Sequence, residues 1–153
     1  MINFKVTEHF TFFELTATRS HPELLAANGQ HFLVEPYLDR LKAASEYLLE
    51  EIRDEMECPV IVTSGGRCPE LNEAVGGVPT SQHLFANYGD GAFDFYVPGV
   101  SIDKVAAEVW ATGLLFYQMR VYADRNFIHI GMPRSKNNLQ IAWIGGDRPE
   151  WAK

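Results

Sequence analysis

Apolar and polar positions divide the chain into helices first and strands later. Between residues 36 and 57, Leu38, Leu41, Leu48 and Ile52 recur on one stripe, with Leu49 and Met56 at its margin and charged residues opposite. That period predicts an amphipathic helix, stopped by Pro59. The run Pro59-Val60-Ile61-Val62-Thr63 is short and β-branched, and predicts a strand. Residues 91–97, GAFDFYV, alternate: Phe93, Phe95 and Val97 face one way, and Ala92, Asp94 and Tyr96 the other. Further strands are expected over 117–122, 127–131 and 139–144. In the second of these, Ile128 and Ile130 face away from Phe127 and His129.

Caps and breakers place the remaining helices. Thr11 and Glu14 fit a capping box inside an aromatic-rich entry of Phe4, Phe10, Phe12, Phe13 and Leu15. Ser20-His21-Pro22-Glu23 offers a second start, with Pro22 in the first turn and Asn28-Gly29 as the expected end. A short helix over 69–75 is closed by Gly76-Gly77, and a longer one runs from its N-cap Ser101 to Gly113. The tail, residues 145–153, reads as loose. Hairpin-length links join the last three strands, so the expectation is a mostly antiparallel sheet with helices on one side. This is an α+β fold in one domain over 1–153, with no repeat or linker.

Composition narrows the partners. The chain has 153 residues, 46% hydrophobic and 22% charged, enough for a core without staples. A net charge of −7 argues against nucleic acid, whose phosphates need a basic face. Cys58 and Cys68 form no CxxC pair, and reduced thiols in a monomeric cytosolic chain are expected. The opening residues lack a basic n-region and an unbroken apolar run, so synthesis in the cytoplasm without a signal peptide is expected. No run has the length of a membrane span.

Three residues carry the candidate chemistry. Asp94 lies on a strand between two phenylalanines, and a buried carboxylate is costly unless paired or metal-bound. His129 repeats the pattern between two isoleucines, and His83 precedes the Asp94 strand in a loop. Two His and one carboxylate suffice for a zinc with an open position, and they also suit non-haem iron.

The run Ser64-Gly65-Gly66-Arg67, with Pro69 and Asn72 in register, followed by Ser81-Gln82-His83, Ala92-Phe93-Asp94 and Phe127-Ile128-His129-Ile130, resembles the zinc metallopeptidases of family M15. That family includes the D-Ala-D-Ala carboxypeptidases and phage endolysins, and the likeness spans nearly the whole chain. It implies a Hedgehog/DD-peptidase-like fold and Zn2+ on His83, Asp94 and His129. It also implies an Arg67 that holds a substrate carbonyl or terminal carboxylate, and substrate contacts at Ser81 and Tyr122, with Gln118 toward the cleft. Asn72 reads as a turn or cap residue.

Two departures stand out. His83 and Asp94 are eleven positions apart against seven in the family, and the added residues bring Asp90, a rival ligand. One branch of the family has a Glu base three residues before its last His; here that position is Asn126. Another branch uses a His five before; here it is Asp124, the expected catalytic base.

The resemblance implies hydrolysis of peptidoglycan stem peptides at a D-amino-acid bond, by a phage or prophage lysis enzyme or a virion part. A catalytically inactive relative in phage assembly or wall binding is the alternative. An iron oxygenase with the same ligand trio is a third reading, against which the helix content speaks.

Overall fold

Alternating side chains make one face of a five-stranded sheet apolar, and the helices cover that face. The computed structural model describes residues 2–135 and 138–153. Strands β1 (Ile61–Ser64), β2 (Ala92–Tyr96), β3 (Gln118–Tyr122), β4 (Phe127–Gly131) and β5 (Gln140–Ile144) lie in the order β1-β2-β4-β3-β5. Phe93 and Phe95 of β2, Ile128 and Ile130 of β4, and Met119 and Val121 of β3 are fully buried against the helical layer. The fold is α+β, as expected.

The strand order departs from a run of hairpins in one place. β5 pairs with β3 and runs parallel to it. β4 is already bonded on both sides, to β2 and to β3, so the chain leaving it cannot pair beside it and joins the outer edge of β3 instead. The reversal of direction between β4 and β5 is kept, and only the neighbour changes. The sheet is therefore mixed, antiparallel at β1–β2, β2–β4 and β3–β4.

The helices follow their predicted caps, with one exception. Helix α1 (Phe12–Thr16) carries the full Thr11–Glu14 capping box. A 3₁₀ turn (Pro22–Leu24) leads into α2 (Leu25–Leu33), which runs straight through Asn28-Gly29 instead of ending there. Asn28 has another use for its amide. Fully buried, it donates to the carbonyls of Thr16 (2.7 Å) and Gly66 (2.9 Å) and accepts from the Cys68 amide (2.6 Å). A side chain with three tertiary partners is not free to cap its own helix.

The long amphipathic segment forms one rod of α3 (Tyr37–Ala44), a π-helical stretch (Ser45–Glu50) and α4 (Glu51–Met56). Leu41, Leu48, Leu49 and Ile52 bury its stripe. α5 (Pro69–Ala74) and α6 (Ile102–Ala111) complete the set, and α6 is capped by the Ser101 hydroxyl. Both cysteines are free. Among the described residues no helix is long and apolar enough to cross a membrane. The tail is less loose than expected. Residues Glu150–Ala152 form a 3₁₀ turn, and Trp151 packs near Trp143 (6.3 Å between ring centroids) and Trp110 (6.5 Å). One large apolar side chain suffices to tie down the end.

Two stability outcomes follow. Asn28→Ala leaves two carbonyls and an amide buried without partners, so it is expected to cost about 2–4 kcal/mol in urea denaturation. An unchanged midpoint would show that water replaces the amide. Glu50 accepts hydrogen bonds from the Thr7 hydroxyl (2.6 Å) and the His9 amide (2.8 Å). Burial raises its carboxyl, but these bonds and the His9 ring outweigh it and leave the folded pKa below the ordinary value. A depressed carboxylate stabilises above the unfolded pKa and loses that contribution as pH falls through the folded one. Glu50→Gln is therefore expected to cost about 0.5–1 kcal/mol at neutral pH, discounted for solvent screening, and nothing in strong acid.

Candidate metal centre

Strand pairing aligns a row of side chains across the open face of the sheet. Asp94 pairs with His129, and His129 with Arg120. On the other side of β2, the ladder irregularity between Val62 and Ser64 leaves Thr63 as the extra residue and sets Ser64 opposite Asp94. This bulge ends β1 and starts the turn that carries Arg67.

The turn passes too close to its neighbours for any side chain. A Cβ on Gly65 would lie 2.1 Å from the Leu15 carbonyl oxygen, and one on Gly66 would lie 2.5 Å from the Phe32 ring. The Gly66 amide donates to Leu15 O (2.8 Å), and the Arg67 amide to His83 O (2.8 Å). The glycine turn thus brings in His83, which sits on a 3₁₀ turn (Gln82–Leu84). Ser81 caps this turn, its hydroxyl accepting from the His83 amide at 3.2 Å. Gln82 fastens the other side, donating to Met132 O (2.9 Å) and to Asp90 Oδ1 (2.8 Å).

His83, Asp94 and His129 converge. His83 Nδ1 lies 2.8 Å from Gly65 O. A carbonyl only accepts, so in the neutral ring the proton is on Nδ1 and Nε2 presents a lone pair. That Nε2 is 3.2 Å from both His129 Nδ1 and Asp94 Oδ1, and His129 Nδ1 is 2.8 Å from the same Oδ1. A proton on His129 Nδ1 satisfies the short edge of this triangle; with His83 neutral its Nε2 then faces the carboxylate lone pair to lone pair, a contact that a second proton on His83 or a bound cation relieves. A cation between the three atoms satisfies every edge. Ligands about 2.0–2.1 Å from a tetrahedral zinc stand roughly 3.3 Å apart, close to the spacing seen here, and two nitrogens with one oxygen leave a coordination position open.

The surrounding electrostatics prepare these ligands. Burial alone would raise the Asp94 carboxyl, but His83 and His129 hold it well below the usual carboxylate range. Burial pushes the His129 imidazole down, against the pull of Asp94, so it is held toward the neutral form that coordinates. Arg67 approaches the second oxygen, with Nη2 3.8 Å from Asp94 Oδ2 and 3.2 Å from Ser64 Oγ. Burial lowers its pKa and Asp94 raises it, a guanidinium largely stripped of water.

Other expected residues are placed differently. Asp90 is 9% exposed and bound to Gln82, and it is not in the converging group. A cleft of ≈ 250 Å³ contains Ser81, Gln118 and His129. A larger one of ≈ 640 Å³ adjoins it through Thr80, Ser81 and Arg134 and reaches Asp90 and Tyr88. Of the three converging residues, His129 lines the smaller one, which therefore lies beside the centre. Tyr122 shares the open face but stacks on Phe127 (4.3 Å), and it lines neither cleft. Asp124 is exposed in the β3–β4 turn, packed beside Gly145, and it also lines neither. Asn126 occupies a left-handed turn position (φ 56°) in the same loop. Asn72 holds the turn after α5, donating to Val78 O at 3.0 Å.

Sequence reasoning passed over Arg120, although Gln118, Arg120 and Tyr122 alternate with the buried Met119 and Val121. It had no signal for Arg134, which stacks on Tyr117 at 4.5 Å from a separate loop.

Fold and site together define an α+β protein built round a candidate His–Asp–His metal centre. The family model described as Peptidase M15 matches residues 9–131, and the chain belongs to that family. The family is one of peptidases, zinc-dependent in general and acting on peptidoglycan. The match contains Arg67, His83, Asp94 and His129 and stops at the end of β4. Neither a curated protein nor a solved structure matches the chain.

One zinc per chain is expected in calorimetry, and at a hundredfold excess over Kd it should stabilise the fold by about 2.7 kcal/mol. Asp94→Asn should weaken that binding by roughly 100-fold or more, since even outer partners of metal ligands are worth 10–100-fold. Unchanged zinc affinity in the variant would remove Asp94 from the ligand set.

Proposed function

We propose that the protein is a zinc peptidase that hydrolyses peptidoglycan stem peptides at a D-amino-acid bond. The observation that supports this reading is the triangle of His83 Nε2, Asp94 Oδ1 and His129 Nδ1, three atoms spaced as zinc ligands, in a chain of the M15 family. The bound ion would activate water and polarise the peptide carbonyl. His83, Asp94 and His129 would hold it, through two nitrogens and one oxygen. Arg67, desolvated beside Asp94, would meet the carbonyl oxygen on which negative charge develops. Ser81 holds the His83 turn and lines the cleft, which suits a substrate contact, and Tyr122 would meet the peptide further along the open face.

Proton transfer is assigned to Asp124, five positions before His129. Its support is that spacing; its carboxyl stands in an exposed turn, and catalytic hydrogen bonds often tighten only with substrate bound. The enzyme is proposed to act as a monomer, one catalytic domain over 1–153, made in the cytoplasm. A phage lysis enzyme or virion part would meet the wall in that way.

A second reading has one observation in its favour. No carboxylate lines the ≈ 250 Å³ cleft among the described residues, and Asn126 stands where a basic Glu would serve. On that reading the protein binds zinc and wall peptide without cutting.

Incubation with purified peptidoglycan, followed by mass spectrometry of released fragments, separates the two. Cleavage of one stem-peptide bond, abolished by a chelator and restored by zinc, is expected. Zinc bound at full stoichiometry with every bond intact would establish the non-catalytic reading. Asp124→Asn should lower kcat by about 10²–10⁴-fold, the usual worth of a general base; a change under twofold would strip it of that role.

A further inference from the structure

We propose that the cleft beside His129 is a carboxylate-binding subsite whose cationic walls are Arg120 and Arg134. The peptide it accepts would carry a free carboxylate close to the bond presented to the centre. This deepens the peptidase reading and rests on it for the identity of the ligand as a peptide.

The argument begins with charge. The chain carries a net −7, yet the cleft contains two arginines and no acid among its described lining residues. Asp94 does not neutralise them. Its Oδ1 faces the two imidazoles and its Oδ2 faces Arg67. A divalent ion would leave the centre more positive still.

Register and partners sharpen the case. Arg120 lies directly across from His129 in the β3–β4 ladder, on the same face as the candidate ligands. Its guanidinium bonds to a neutral group, the Gln118 amide oxygen at 2.9 Å. No carboxylate comes within 4.0 Å of it among the described residues, whereas Arg67 and Arg134 each have one. Arg134 is only loosely paired. Its Nη2 is 3.9 Å from Asp90 Oδ1, an oxygen already bonded to Gln82 at 2.8 Å. It is instead held by its ring contact with Tyr117, which also lines the cleft and fixes the guanidinium as a wall.

Two guanidinium forks flanking one cavity suit a planar anion that accepts several hydrogen bonds, which is a carboxylate in a peptide. This leaves Arg67 for the carbonyl and assigns the carboxylate to a different pair. Two sources supply that chemistry: the peptide's own C-terminus and an acidic side chain next to the scissile bond.

The probes are an N-acetylated tripeptide with one acidic side chain, its C-terminal amide and its side-chain amide. Binding to the zinc-loaded protein is measured by calorimetry, and cleavage separately as kcat/KM. One of the two amides should bind at least tenfold more weakly than the acid, and which one names the source. Arg120→Gln and Arg134→Gln should each weaken the acid about tenfold and leave that amide within twofold. Arg120→Lys should recover part of the loss. Zinc stoichiometry reports that the variants are folded, and Arg53→Gln in the helical layer controls for net charge.

Equal binding of all three probes, or variants that lose acid and amide alike, would overturn the subsite. Discrimination between acid and amide without any cleavage would sink the peptidase reading and leave the subsite standing. Cleavage of all three probes at one rate would do the reverse.

Discussion

A carboxylate set between two phenylalanines on a central strand has to be compensated, and the site is arranged around that requirement. The two sides of the sheet make opposite demands on β2: Phe93 and Phe95 anchor it in the core and leave Asp94 on the open face, 14% exposed. One oxygen meets two imidazoles and the other meets a guanidinium. A neutral His83 spends its one proton on the Gly65 carbonyl and turns a bare Nε2 toward Oδ1. With both imidazoles neutral that contact is frustrated, and a positive charge between His83 and Asp94, such as a metal ion, relieves it.

The scaffold meets the requirement by bringing three separate pieces of chain to one row. β1 ends on a bulge that sets Ser64 opposite Asp94, and the two glycines that follow press against Leu15 and Phe32. Asn28 closes the arrangement from beneath, tying α2 to the Gly66 carbonyl and the Cys68 amide. Helical layer, glycine turn and metal-side loop are therefore one mechanical unit. The Asn28 side chain thus holds the backbone on either side of Arg67, whose own amide donates to His83 O.

Periodicity was legible wherever one face was apolar. The alternation in residues 91–97 and 127–131 placed Asp94 and His129 on the face away from the core, and the two are direct partners in the β2–β4 ladder. Leu41, Leu48 and Ile52 of the predicted stripe are buried, and Leu38 is partly so. Local signals failed where tertiary partners outbid them. Asn28-Gly29 has the chemistry of a helix end, but the buried amide is engaged elsewhere and the helix continues. The tail is polar enough to read as loose, but Trp151 finds two other tryptophans.

By itself the sequence determined the elements, the faces of the strands and the residue types able to hold an ion. All of these depend on side-chain spacing along the backbone, which a strand or helix converts directly into direction. Tertiary structure decided which of these residues meet. β5 joins β3 because β4 has no free edge. Asp90 turns to Gln82 while Asp94 turns to the imidazoles. Asp124 stays in an exposed turn, and Arg134 joins Arg120 across a cleft from a loop of its own. Such meetings depend on which backbone edges and polar groups remain unpaired once the core has formed, a quantity that belongs to the whole fold and to no stretch of it.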